Sequence, residues 1–171
     1  KAVQDCTPEQ KQTIEGPLKS LQRDSMLAHP ALKFDKLLFL TQIHRSVSIY
    51  TGHLRNDNPG GNLCVLSPVS PDGIVTKLVP ELDGGVFGRF DLSFDATKVV
   101  FCYAKDGGSY RIYEIDIDPK TGLRVGGLRQ LTVDGADEAE TIQRYKGSTC
   151  GRGYDDMDPC YMPNDKIMFS S

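Results

Sequence analysis

Three stretches of this chain carry nearly the same phrase, and that repetition limits its possible folds more than any other feature. "DKLLFLTQ" (Asp35–Gln42), "TKVVFCYAK" (Thr97–Lys105) and "DKIMFSS" (Asp165–Ser171) each place a polar residue and a lysine before an apolar-rich run. The runs centre on Phe39, Phe101 and Phe169. "LKFD", "LSFDATK" and "YMPNDK" lead into them, each supplying a strand end and a tight turn bearing Asp or Asn. A second phrase follows at a regular offset, "GGNLCVLSP" (Gly60–Pro68) matching "GSYRIYEIDIDP" (Gly108–Pro119). Tyr113, Ile115 and Ile117 alternate there with Glu114 and Asp116, the period of a half-buried strand. A third phrase pairs "VTKLVPE" (Val75–Glu81) with "LRQLTVD" (Leu128–Asp134).

Each unit therefore reads as strand, hairpin, strand, turn, short strand. The unit returns after 62 residues and again after 68, counted from Asp35 to Thr97 to Asp165. Insertions lengthen it: "IHRSVSIYTGHLRNDNPG" in the first unit, "TGLRVGG" and "GADEAETIQRYKGSTCGRG" around the second. A sandwich is the competing all-β architecture, but it does not call for an ordered triplet of phrases in register. Propeller blades do. The expected fold is all-β, with a helical N-terminal extension over 1–30 and a partial β-propeller over 31–171. Blade one is placed at about 31–90, blade two at about 91–157, and the start of blade three at 158–171. A ring needs about four blades, so the missing strands are expected from elsewhere.

The first thirty residues read as two helical pieces. Thr7, Pro8 and Gln10 resemble a capping box with proline at the first helical position. Gly16-Pro17 is expected to stop that piece, and "LKSLQRDSMLA" to form a second that ends at His29-Pro30.

Composition narrows the function classes. With 39% hydrophobic and 25% charged residues, the chain belongs among ordinary globular proteins. A formal charge of −3 gives no basic field for nucleic acid or an anionic membrane. No apolar run approaches the ~20 residues that span a bilayer. "KAVQDCTPEQ" at the start has no apolar centre of an export signal, which fits either a cytoplasmic protein or one whose signal is gone. Cys6, Cys64, Cys102, Cys150 and Cys160 are odd in number. Cys64 and Cys102 lie inside apolar runs and read as small buried hydrophobes, whereas Cys150 and Cys160 flank a loop where a disulfide can form in an oxidising compartment.

The candidate chemistry is sparse. Asp155, Asp156 and Asp158 offer closely spaced oxygens of the kind calcium requires. They lack the glycine and distal Glu of an EF-hand, and the competing reading is that they fix the entry turn of a blade. Asp158 is matched with Asp91 in that comparison. Arg89 precedes a first-strand segment and either binds an anion or pairs with neighbouring aspartates. His44 and His53 lie in the first insertion, where a binding loop on a rigid scaffold would sit. "EAE" at Glu138–Glu140 reads as a solvated acidic turn. The chain has no Gly-x-Ser-x-Gly elbow, Cys-x-x-Cys pair or phosphate loop.

"DPCYMPNDKIMFSS" and "LSFDATKVVF" are similar to the strand-turn-strand signature of TolB-type (WD40-like) β-propellers. Asn164-Asp165 and Asp95-Ala96 stand where such blades carry Asp-Gly. The longer string "LAHPALKFDKLLFL", "GGNLCVLSPVSPDGIVTKL", "GGVFGRFDLSFDATKVVFCY", "YRIYEIDIDP" and "YDDMDPCYMP" resembles the propeller-bearing region of bacterial exported proteins akin to the hydrazine synthase alpha subunit. That resemblance implies an exported, periplasmic setting, and no catalytic residue carries over. The haem-attaching Cys-x-x-Cys-His is absent from these residues. The expected function is a non-catalytic scaffold or protein-interaction segment of a larger exported protein. Its partners would be the remainder of that protein, another chain or a second copy. The alternative is part of a c-type-haem redox enzyme or a hydrolase whose catalytic residues lie outside this chain.

Overall fold

The computed structural model describes residues 7–43, 59–105, 108–146 and 154–171. The chain divides into two compact units, Lys1–Asp35 and Lys36–Ser171.

The first unit holds one continuous helix, α1 (Pro8–Leu27), followed by a single 3-10 turn at Pro30–Leu32. The expected break at Gly16-Pro17 does not occur, because Pro17 sits inside the helix. Proline's fixed φ is itself helical, and the cost lies in one lost hydrogen bond and a crowded carbonyl. Here the helix-forming residues on either side carry the structure through. It ends where Ala28 N–H reaches the Asp24 carbonyl at 3.0 Å, just before His29-Pro30. A residue preceding proline is disfavoured in the helical region.

Among its described residues the second unit is mostly β, in three antiparallel sheets, with a 3-10 turn at Pro80–Leu82 and one short α-helix. The first sheet is β1 (Leu37–Thr41), β2 (Asn62–Ser67) and β3 (Ile74–Lys77), hydrogen-bonded in that order. The central sheet is a four-stranded meander of β4 (Gly85–Leu92), β5 (Lys98–Lys105), β6 (Tyr110–Ile117) and β7 (Arg124–Gln130). After helix α2 (Glu138–Arg144), the last sheet is the hairpin of β8 (Met157–Tyr161) and β9 (Ile167–Ser170). The three repeated phrases thus become β1, β5 and β9. β4 pairs with β5, so the central sheet begins at Gly85 rather than near 91. Most of "TGLRVGG", expected as an insertion, is strand β7.

Matching turns lead into β5 and β9. Ala96 has φ 57° and Asp165 φ 59°, and each donates its N–H to the residue three before it, Ser93 or Met162. The second turn is one residue shorter. It closes with Met162 N–H on the Lys166 carbonyl, where the first closes with Ser93 N–H on the Lys98 carbonyl.

Two apolar layers flank the central sheet. Leu63 and Val65 of the first sheet meet Phe87, Val99, Phe101, Tyr103, Ile115 and Ile117 on one face. Val86, Val100, Cys102, Ala104 and Ile112 line the other face, with Tyr161, Met157 and Ile167 of the last sheet against them. β6 is therefore covered on both sides, and Glu114 is buried rather than solvent-facing. The stacking keeps one direction. Leu38 of the first sheet packs toward the central sheet, and its counterpart Val100 packs toward the last sheet. The third counterpart, Met168, is exposed.

Candidate functional site

Four of the buried polar residues of the second unit, Arg111, Glu114, Glu138 and Asp156, lie along or beside the seam between the central sheet and the last hairpin. Both first strands bulge there. Pairing slips between Phe87 and Phe90 in β4, and between Met157 and Cys160 in β8. Aligned through their turns, the bulges set Arg89 opposite Asp158 in the repeat, not Asp91. These two side chains pair across the seam, Nε to Oδ1 at 3.4 Å. Asp158 holds φ 52°, a left-handed conformation that Asp tolerates better than most residues. Gly88 beside Arg89 lies against the Cys102 sulfur, which leaves no space for a Cβ.

The other predicted acids serve the backbone. Asp91 Oδ2 accepts the Tyr161 N–H at 2.8 Å, and Asp155 Oδ1 accepts the Tyr110 N–H at 2.8 Å. Asp156 is buried and donates its own N–H to the Tyr110 carbonyl at 3.0 Å. The calcium candidates Asp155, Asp156 and Asp158 thus sit at separate tasks. Among the described residues, no group of three or more His, Cys, Asp or Glu side chains is placed to hold a metal ion. His44, His53 and Cys150 lie outside the described residues. Cys160 is half-buried on β8.

Two ionic clusters escaped sequence reasoning. In the first, Arg129 of β7 forks onto both acids of β6. It donates to Glu114 Oε2 at 2.8 Å and to Asp116 at 2.5 and 2.7 Å. The Tyr161 hydroxyl closes this cluster from the last hairpin, donating to Glu114 Oε1 at 2.7 Å. The Arg129 guanidinium keeps the Asp116 carboxyl below its ordinary pKa. Burial, reinforced by the Glu114 carboxylate, pushes the Tyr161 phenol well above its ordinary value. Tyr161 is thus a fixed hydrogen-bond donor at neutral pH. A signal existed: Glu114 and Arg129 stand directly opposite across β6 and β7, a favourable cross-strand pair.

In the second cluster, Arg111 of β6 binds Glu138 of α2, Asp134 and the Tyr154 carbonyl. Both the Arg111 and Glu138 side chains are almost wholly buried. Burial works against the Arg111 charge, but the two carboxylates outweigh it and hold its pKa above the ordinary value. Glu138 also accepts the Gly135 N–H at 3.0 Å and the Ser109 hydroxyl at 3.1 Å. "EAE" is therefore no solvated turn. Its first acid anchors a helix to the sheet.

Chemically, most of the seam's charges face one another or a backbone donor: Arg89 faces Asp158, Arg129 faces Glu114 and Asp116, Arg111 faces Asp134 and Glu138, and Asp91 and Asp155 accept backbone N–H groups. Burial pushes the Cys64 and Cys102 thiols up, away from the thiolate a nucleophile requires. Among the described residues, no helix is long and apolar enough to cross a membrane.

Fold and seam together define a mostly-β protein of antiparallel sheets packed through apolar layers, with the Tyr161–Glu114 hydrogen bond and the Arg89–Asp158 ion pair crossing from the last hairpin to the central sheet. No family model, curated protein or solved structure matches the chain.

Proposed function

We propose that this chain is a non-catalytic segment of propeller-type blades from a larger exported protein, working as a scaffold and interaction surface. The observation that carries this reading is the central sheet, buried on both faces by sheets that stack in one direction. A two-layer sandwich has only one such interior. The junctions between sheets also resemble one another. Gly60 N–H bonds the Gly85 carbonyl at the entry to β4, and Asp156 N–H bonds the Tyr110 carbonyl at the entry to β8. Seam charges that satisfy each other favour a structural role over a catalytic one. The exported setting rests on the sequence resemblance.

An experimentally determined structure is the test. Three sheets related by successive rotations about one axis beside β4 and β8 would support blades. Two sheets closed around a single interior would overturn them.

A further inference from the structure

The sequence contains four Asp-Gly pairs, beginning at Asp72, Asp83, Asp106 and Asp134. Such a pair can rearrange its own backbone. The glycine amide nitrogen attacks the aspartate side-chain carboxyl carbon, the amide proton and a carboxyl hydroxyl leave as water, and a five-membered succinimide forms. Water then reopens the ring at either carbonyl. Opening at the main-chain carbonyl leaves isoaspartate, in which the chain runs through the side-chain carbon and the α-carboxylate is set free. One water leaves and one returns, and nothing is oxidised. Glycine hinders the attacking nitrogen least, since it has no side chain. The reaction needs a carboxyl free to turn toward that nitrogen, so the fold decides which pair reacts.

Asp106-Gly107 lies outside the described residues. Asp72, Asp83 and Asp134 are all exposed, so exposure does not separate them. Their hydrogen bonds do. Asp83 Oδ1 accepts from Asn62 Nδ2 at 2.7 Å and its Oδ2 from Lys77 Nζ at 2.5 Å, and Asn62 is fully buried. Asp134 Oδ1 accepts from Arg111 Nε at 3.1 Å and Nη2 at 2.9 Å, while the Gly135 N–H is given to Glu138 Oε2 at 3.0 Å. Asp72 has no such hold. Ser70-Pro71-Asp72-Gly73 is a turn at the tip of the β2–β3 hairpin, closed by Gly73 N–H on the Ser70 carbonyl at 3.0 Å. Among the described residues no donor is bonded to the Asp72 carboxylate. All four residues of β3 beside it are exposed, so the tip opens at little cost.

We propose that Asp72-Gly73 is a modification site at which the folded chain converts aspartate to isoaspartate, and that the fold protects Asp83 and Asp134 from the same change. The α-carboxylate set free at residue 72 is the kind of group that an S-adenosylmethionine-dependent isoaspartyl carboxyl methyltransferase takes as substrate. The site stands whether or not the sheets are blades.

The test ages the intact folded protein near neutral pH and then digests it after Lys and Arg, which puts each Asp-Gly pair on its own peptide. Isoaspartate in each peptide is counted by enzymatic methyl transfer from S-adenosylmethionine and placed by fragmentation in the mass spectrometer. The Asp72 peptide is expected to gain isoaspartate several-fold faster than the Asp83 and Asp134 peptides. A second sample is aged in urea, where the bonds from Asn62, Lys77 and Arg111 and the Gly135 bond to Glu138 are gone. There the three rates are expected to converge. An Asp72 peptide that fails to lead both others in the folded protein, or that keeps its lead undiminished in urea, would overturn the proposal.

Discussion

Ala96 and Asp165 occupy the same left-handed position of two related turns, and the residue type sets how much strain each one stores. A Cβ in this region costs about 1–2 kcal/mol, and Asp offsets part of that through local hydrogen bonding. Ala96→Gly is therefore expected to raise unfolding free energy by about 0.5–1 kcal/mol, and Asp165→Gly by less. Urea denaturation of the two variants side by side checks the order. Tyr161 offers a second test at this scale. Its hydroxyl is one of the bonds that tie the last hairpin to β6, and Glu114 keeps Arg129 when that hydroxyl is removed. Tyr161→Phe is expected to cost about 1.5–3 kcal/mol, the value of a hydrogen bond to a charged group. An unchanged urea midpoint would show that the bond adds nothing.

Among the elements, α2 depends most on a single contact. It has seven residues, too few to be stable alone, and Glu138 is its buried residue. Glu138→Ala would leave Arg111 buried with exposed Asp134 as its one carboxylate and the Tyr110 and Tyr154 carbonyls as its other partners. Breaking a buried ion pair from one side costs about 3–5 kcal/mol. The expected result is a lower melting temperature together with loss of amide protection over α2. Little of this was legible in advance. Strand positions followed from the repeated phrases, because a two-residue period and a turn before each lysine are local properties. The burial of Glu114 and Glu138 is not legible locally, because burial depends on what covers an element from outside. Alternation in "YEIDID" implies one wet face only if nothing packs there, and here Tyr161 arrives from far along the chain. Pro17 reads as a stop in the sequence, but its cost is finite and the neighbouring turns of α1 outweigh it. Arg89 and Asp91 stand out in the sequence because they precede a recognisable turn, but the matching bulges align Asp158 with Arg89 in the repeat, two positions before the Asp91 expected.

For the whole molecule, acid and base act through different groups. Lys77 and Asn62 donate to Asp83, the Ser93 and Thr97 hydroxyls to Asp95, Arg129 to Asp116, and the Lys120 N–H with the Thr121 hydroxyl to Asp118. All four carboxyls lie below their ordinary pKa for these reasons. Such groups stabilise the fold above the unfolded value of about 4 and lose that contribution as acid protonates the folded form. Burial raises the phenols of Tyr161, Tyr103 and Tyr113. Above about pH 10 the unfolded tyrosines ionise while the folded ones hold their protons, so stability falls there too. Thermal melts are expected to plateau between about pH 5 and 9 and to fall on both sides. A melting temperature that keeps rising below pH 4 would contradict this assignment. Amide exchange should be slowest in β5 and β6, which are covered on both faces, and faster in exposed β3 and β9.

The unequal turns before β5 and β9 carry one more consequence. One residue is missing from the second, yet Leu92 faces Val99 and Tyr161 faces Ile167 in the same relative place. Length is absorbed between the left-handed residue and the lysine, and the strands beyond keep their register. A joint of that kind tolerates insertion, since a slip of one residue elsewhere in a strand would turn every side chain to the opposite face. This hairpin tip is thus the natural graft point, where foreign sequence can enter while the apolar layers below stay in place.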